Sequence, residues 1–202
     1  MLFRSVEGLA TGLLVALGLF VARTAAPHTA ELGRIPGSLV YRNTQRFAVE
    51  TCPQVGILRV DAPLYFANAR FLEDRIHQMF AERPAMQILA LECSGVGDMD
   101  STAVQALRNV VLALRARGND LHLVGPIGPV RDVLARTGMD RLLGEANIHR
   151  SIVEAAPKWM AKISRTYCER QCRVSAFPDC TSIPRVGTPS PESNAAKFSP
   201  QI

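Results

Sequence analysis

Between Val55 and Ile163, short apolar runs alternate with longer segments of helical periodicity, and this alternation constrains the fold more than any other feature. The runs are Val55–Val60 (VGILRV), Met86–Cys93 (MQILALEC) and Leu121–Val124 (LHLV). The second run is almost free of polar residues, as expected of a strand that is covered on both faces. Strands of this kind, separated by helices, predict an α/β domain with a central, mostly parallel sheet.

The segments between these runs predict about four helices that each pack one apolar side against the sheet. The first, Ala67–Arg83, places five apolar residues on one side: Phe71, Leu72, Ile76, Met79 and Phe80. The second begins at Asp100 or Ser101, because either side chain can cap a helix, and it stops at Gly118. A short helix follows Pro129, and a last one covers Ser151–Ile163.

A separate feature at the N-terminus is the run Gly8–Ala22, fifteen residues without a charged side chain. As a helix it covers about 22 Å, and adding the residues up to Ala26 brings it near the lower limit for a membrane span. We therefore predict one transmembrane helix within residues 1–26. The alternative is a secretory signal peptide cleaved near Ala26. The motif Gly8-x-x-x-Gly12 fits a helix that packs closely against other membrane helices.

The distribution of arginine predicts which side of the membrane the domain occupies. Arg4 stands before the apolar run, whereas Arg23, Arg34, Arg42 and Arg46 follow it. Because positive residues accumulate on the cytoplasmic side of a membrane helix, we expect a single-pass protein with its domain in the cytoplasm.

The remaining segments are predicted to be irregular. Residues 27–50 form a connector punctuated by Gly and Pro, with one short strand around Leu39–Arg42. The α/β domain then occupies residues 51–163. From Ser164 to Ile202 periodicity is lost, which predicts a disordered tail with free thiols at Cys168, Cys172 and Cys180. Removing residues 165–202 should then change the free energy of unfolding by less than about 0.5 kcal/mol.

Several classes of function find no support in the sequence. The net charge is only +5, without a run of five basic residues, and 6% aromatic residues offer no base-stacking surface, which argues against nucleic-acid binding. His77 and His122 have no cysteine or carboxylate at catalytic or metal-binding spacing. Gly95, Gly97 and Gly125 form no phosphate loop. We therefore expect no enzyme activity, cofactor or metal.

Three stretches resemble the sulfate-permease (SulP) family of anion transporters, over roughly residues 8–162. Leu32–Ser38, followed by Tyr41 and Arg42, resembles the connector that leaves the last membrane helix of that family. Asp61–Ala69 (DAPLYFANA) is similar to the family's first strand–helix junction and is the most specific match. Asp98–Ala103 (DMDSTA) resembles the loop of STAS domains, a module also found in bacterial anti-sigma-factor antagonists.

This resemblance implies a STAS domain that regulates a SulP-type sulfate or other anion transporter. It also implies that the sheet has four or five strands and is flanked by about four helices, which agrees with the periodicity. It implies that Gly8–Ala22 is the family's final transmembrane helix and that the domain lies in the cytoplasm. The implied partner is a SulP-type transmembrane core, another regulatory protein or a second copy of the chain. A single helix cannot enclose an anion path, so the chain is expected to be a truncated form that does not transport by itself.

The candidate site is the loop carrying Asp98, Asp100, Ser101 and Thr102. In the antagonist branch of the family the serine at the position of Ser101 is phosphorylated by a partner kinase, and a phosphate at a helix N-terminus meets free backbone N–H groups. The competing interpretation is that Asp100 or Ser101 only caps the helix. The alternative function is therefore a free-standing, antagonist-like STAS protein that is switched by phosphorylation of Ser101. The transporter-type connector before Tyr41 favours the transporter domain.

Overall fold

The computed structural model describes residues 2–184, with side chains described from Glu7 onward. An N-terminal helix, α1 (Leu2–Ala25), precedes an α/β domain. The strands are β1 (Thr29–Arg34), β2 (Tyr41–Asn43), β3 (Val55–Val60), β4 (Ile88–Glu92), β5 (Asp120–Val124) and β6 (Ile148–His149). The helices are α2 (Ala69–Glu82), α3 (Ser101–Arg115), α4 (Gly128–Arg136), α5 (Met139–Leu143), α6 (Ile152–Lys162) and α7 (Arg165–Arg170), with 3₁₀ turns at Glu145–Asn147 and Pro178–Ser182.

The six strands form one sheet in the order β2-β1-β3-β4-β5-β6. The strands from β3 to β6 are parallel to their neighbours, whereas β1 is antiparallel to both β2 and β3. This confirms the predicted α/β class with a mostly parallel sheet, and the sheet has six strands rather than four or five. Because Thr29 pairs with Val60, the chain enters the sheet from α1 at the edge where β3 ends. We call this the carboxyl edge: it holds the loops 61–68, 93–100 and 125–127.

Side chains of the central strands alternate between two cores, as strand geometry requires. On one face Leu58, Leu89 and Leu91 pack against α2, α3, α4 and α5. On the other face Ile57, Ile88 and Ala90 pack against α6 and the residues that follow it. The helices on the first face contribute the predicted stripes, since Leu72, Ile76, Met79, Val104, Leu107, Val111 and Leu114 are all buried.

The predicted disordered tail is wrong for residues 164–184, which we call the C-terminal strap. The strap contains α7 and a 3₁₀ turn, and it buries Cys168, Phe177 and Cys180 in the second core. The strap lacks a repeating apolar pattern because isolated side chains, not one continuous helix face, reach the sheet. The rest of the predicted tail, residues 185–202, lies outside the described residues.

The predicted connector is partly wrong as well. Thr29–Arg34 is a full strand that pairs on both sides, and Ala30 and Leu32 lie in the second core. The predicted short strand is present as Tyr41–Asn43, two residues later than expected. The sheet therefore begins three residues after Ala26, and the junction between α1 and the domain is short.

The N-terminal helix is exposed from Glu7 to Arg23. Glu7–Ala25 is long and apolar enough to cross a membrane, with a mean hydropathy of 1.7, and none of it is buried against the domain. Leu9, Leu13, Leu14, Leu17, Leu19 and Phe20 are each more than half exposed. A helix that is apolar on all sides and contacts little protein is typical of a segment that lies in lipid.

Candidate functional site at the carboxyl edge

The predicted loop lies at the carboxyl edge between β4 and α3, beside the loop that follows β3. Leu64 and Met99 form an isolated parallel bridge. The N–H of Leu64 donates to the carbonyl of Asp98 at 2.9 Å, and the N–H of Asp100 donates to the carbonyl of Leu64 at 3.0 Å. Asp98, Asp100, Ser101 and Thr102 are thus held against the strand–helix junction that most resembles the SulP family.

Asp100 is the helix cap, which answers the question that the sequence left open. One carboxylate oxygen, Oδ1, accepts a hydrogen bond from the N–H of Ala103 at 2.8 Å, and the other accepts one from the N–H of Phe66 at 2.8 Å. The first bond satisfies a free N–H of α3, and the second ties α3 to the loop before α2. Asp100 therefore joins two loops as well as capping the helix.

The side chains of Ser101 and Thr102 neither cap α3 nor join the two loops. Both side chains are exposed at the first turn of α3, and in residues 7–184 neither hydroxyl forms a side-chain hydrogen bond. Asp98 is exposed too, and among the residues that the structure describes its carboxylate accepts only from the adjacent N–H of Met99, at 2.7 Å. The hydroxyl of Ser101 is consequently accessible, and the acidic groups of Asp98 and Asp100 are its charged neighbours along the chain.

A groove of about 490 Å³ runs between α2 and α3, beginning beside Thr102 of the Asp98–Thr102 loop. Phe66 and Thr102 line the end nearest the loop, and Arg70, His77, Gln105 and Asn109 line the rest. The lining combines apolar and polar surface and carries charges of both signs. A groove of this kind suits a protein contact better than an enclosed small-molecule site.

Away from this loop, His122 contacts two aromatic side chains, His149 and Trp159, and the sequence did not predict these contacts. Nδ1 of His122 lies 2.9 Å from Nε2 of His149 and 3.2 Å from Nε1 of Trp159, and both histidines are fully buried. Burial lowers the pKa of His122 to about 3 and lowers that of His149. His149 was missed because its strand is only two residues long and has no readable pattern.

The side chains of Cys52, His122 and His149 are all buried. Within residues 7–184 no group of three or more His, Cys, Asp or Glu side chains is placed to hold a metal ion. Burial raises the pKa of Cys52 to about 12, so this thiol is a poor nucleophile. Neither His122 nor His149 can act as a base on a solvent-exposed substrate, because both side chains are fully buried.

Comparison with protein families matches residues 46–155 to the STAS domain. The chain belongs to the STAS-domain family. This match covers β3–α6 and includes the Asp98–Thr102 loop, so the fold and the position of that loop within it agree with the resemblance seen in the sequence.

Two curated plant proteins extend the similarity beyond the STAS domain. The chain is 33% identical over 177 residues to "Sulfate transporter 1.3" of Arabidopsis thaliana, covering 81% of this chain and 26% of that protein. It is 31% identical over 175 residues to "High affinity sulfate transporter 2" of Stylosanthes hamata, covering 80% and 26%. The chain thus spans about a quarter of the length of these relatives.

A solved structure supports the fold. The murine Solute Carrier 26 family member A9 anion transporter, in its inward-facing state, superposes with a TM-score of 0.66 at 20% identity, over 77% of this chain and 26% of that one. The superposed part is larger than the residues 46–155 assigned to the STAS domain.

The geometry of the cap predicts different effects for two adjacent substitutions. Asp100→Ala removes bonds to Ala103 and Phe66, so we expect the free energy of unfolding to fall by about 1–3 kcal/mol. Ser101→Ala should change it by less than about 0.5 kcal/mol, because the hydroxyl is exposed. Urea unfolding of both variants measures the difference. A larger loss for Ser101→Ala than for Asp100→Ala would contradict this assignment of the cap.

Proposed function

We propose that this chain is the regulatory and interaction domain of a SulP-type sulfate transporter, tethered to the cytoplasmic face of a membrane by α1. The observation that carries the proposal is the extent of the similarity. The match to named sulfate transporters covers 81% of the chain, more than the residues 46–155 of the STAS domain alone. The apolar, exposed helix α1 supplies the tether, and it joins the sheet within a few residues.

The transport path itself belongs to a separate membrane core in this proposal. An anion that crosses a bilayer needs a polar path enclosed by several helices, because its transfer into hydrocarbon is very unfavourable. α1 presents apolar side chains to its surroundings and lines no such path. The partner is therefore a protein with SulP-type transmembrane helices.

Membrane anchoring and sidedness test this proposal. We expect the chain to stay in the membrane during alkaline carbonate extraction, and its domain to be digested by protease in inverted vesicles but protected in intact cells. The variant Leu13→Arg with Leu17→Arg should be released, because each charge at the centre of a span costs about 2.5–3.5 kcal/mol.

The matched control is Leu39→Arg, an equally exposed leucine in the β1–β2 turn, which should stay anchored. Release of the wild-type chain by carbonate, or protection of the domain in inverted vesicles, would contradict the tethered orientation.

A second candidate function is a phosphorylation switch at Ser101, as in a free-standing, antagonist-like STAS protein. The observation that favours it is the division of roles at the corner: Asp100 caps α3, which leaves the exposed hydroxyl of Ser101 available to a kinase. A phosphate there would add nearly two negative charges next to Asp98 and Asp100, and repulsion would weaken an acidic partner's contact at this corner.

A further inference from the structure

The loop after β3 carries an aromatic pair at the carboxyl edge that the proposed function does not yet use. The side chain of Phe66 is 69% exposed, although it is among the largest apolar groups of the domain. Its ring meets the ring of Tyr65 edge-on, with centroids 5.5 Å apart. Tyr65 is half-buried, so the pair presents one apolar surface whose outer part is Phe66.

The exposure of Phe66 is built into a well-fixed loop. The N–H of Phe66 donates to the carboxylate of Asp100 at 2.8 Å, and the N–H of Tyr65 donates to Oδ1 of Asn68 at 3.0 Å. Asn68 is fully buried and also donates to the carbonyl of Pro63 at 2.9 Å. With the backbone held at these points, the aromatic ring is kept outside the domain core.

The position of α1 shows what lies beside the Tyr65 end of this pair. A cavity of about 430 Å³ is lined by Phe20, Arg23 and Thr24 of α1 together with Pro63 and Tyr65 of the loop. Phe20 belongs to the uncharged run of α1 and precedes its end at Ala25 by five residues, or about 7.5 Å along the helix axis. If α1 spans the bilayer, the loop that shares a cavity with Phe20 lies at the boundary between headgroups and acyl chains, a layer about 5–10 Å deep.

We propose that Tyr65 and Phe66 enter the lipid interface of the membrane that α1 spans, and so form a second membrane contact of the domain. This inference rests on the membrane anchor of the proposed function. Tyrosine favours this layer because its apolar ring carries a polar hydroxyl, and the apolar ring of phenylalanine favours the acyl-chain side of it. With two contacts the carboxyl edge faces the bilayer, and the bond from Phe66 to Asp100 places the Asp98–Thr102 loop beside the headgroups.

The test uses the full chain in phosphatidylcholine vesicles, with a tryptophan as reporter. Trp159 is the single native tryptophan and is fully buried, so the wild-type chain gives the baseline emission. The variant Phe66→Trp adds a reporter at the proposed contact. The matched control, Leu39→Trp, adds one at a 57% exposed position in the β1–β2 turn, at the opposite end of the sheet.

In vesicles whose lipids carry bromine near the headgroup end of the acyl chains, we expect roughly half of the emission added by Phe66→Trp to be quenched, and little of that added by Leu39→Trp. Equal quenching of the two variants in a chain that resists carbonate extraction would overturn this inference and leave the anchor intact. A blue-shifted Phe66→Trp emission without bromine quenching would overturn it as well, because it would show that a second copy of the chain covers the ring. Release by carbonate would instead remove the anchor, and this inference with it.

Discussion

Replacing Phe177 with alanine is expected to lower the free energy of unfolding by about 3–5 kcal/mol, although the residue lies where the sequence predicts disorder. The side chain is 1% exposed. Its ring centroid lies 5.8 Å from that of Trp159 and 6.4 Å from that of Tyr41, so it joins α6 to the edge strand β2. Its removal would leave a cavity between elements that cannot close on one another without moving the sheet edge.

Hydrogen bonds hold the strap in place on either side of Phe177. Gln54 donates to the carbonyl of Ser164 at 3.1 Å and accepts from its N–H at 2.9 Å. The guanidinium of Arg34 donates to the carbonyl of Ser175 at 2.5 Å. Because these bonds are partly buried, removing the strap would also take these partners from Gln54 and leave the guanidinium of Arg34 with its ion pair to Glu50, 3.8 Å away.

The measurement is urea unfolding of the full chain in mild detergent, followed by the emission of Trp159, which contacts Phe177 directly. Phe47→Ala is the matched control, since that side chain is 49% exposed and its removal should cost less than about 0.5 kcal/mol. If the two variants unfold at the same urea concentration, the strap does not pack as described and the tail is disordered after all.

The second large effect is a loss of stability in mild acid, caused by the buried histidines. The unfolded pKa of a histidine is about 6.5, and the pKa of His122 in the folded protein is lowered to about 3. Between these values the unfolded chain binds the additional proton, so stability is complete above pH 6.5 and decreases as the pH falls toward 3. From pH 7 to pH 5 we expect a loss of about 2 kcal/mol from His122, with a further loss in the same direction from His149.

The contacts of His122 and His149 explain why the pKa of each is lowered. Nε1 of Trp159 can only donate a hydrogen bond, so Nδ1 of His122 must remain unprotonated to accept it. In residues 7–184, Nε2 of His122 and Nδ1 of His149 have no hydrogen-bond partner. Lys162, Lys158 and Arg115 oppose an added positive charge, and Asp120 and Glu154 only partly offset them.

Unfolding free energies at several pH values between 5 and 7 test the effect. His122→Phe should flatten the pH dependence of the free energy of unfolding, whatever its stability at pH 7. An unchanged slope in His122→Phe would show that other groups cause the loss in acid.

The parts of the fold that could be predicted are those whose side chains repeat regularly. Met86–Cys93 and the stripe of α3 are buried on sheet and helix faces, and their periodicity reports this directly. The strand Thr29–Arg34 was not predicted because Thr29, Glu31 and Arg34 make the segment appear polar. Its hydrogen-bonded pairing with a strand on each side stabilises it as a strand. The packing of the C-terminal strap was not predicted because it depends on single buried residues, such as Phe177, and not on a repeating pattern.

The sequence predicted where the candidate site lies, but not which of its residues caps the helix. The residue types at Asp100 and Ser101 allow either to cap a helix, and only the bonds to Ala103 and Phe66 identify Asp100. The exposure of Phe66 follows from the path of the loop after β3, which places Leu64 inward and Phe66 outward. No periodic pattern in the sequence reports that path.

The most direct test of the central claim is purification of the chain from its native membranes in mild detergent, with its partners identified by mass spectrometry. We predict recovery of a protein with SulP-type transmembrane helices, and equal recovery with Ser101→Ala and Ser101→Asp if the chain acts as a tethered transporter domain. Recovery of a soluble kinase or regulator in place of a membrane core, with binding kept by Ser101→Ala and weakened by Ser101→Asp, would contradict the transporter domain and favour the phosphorylation switch.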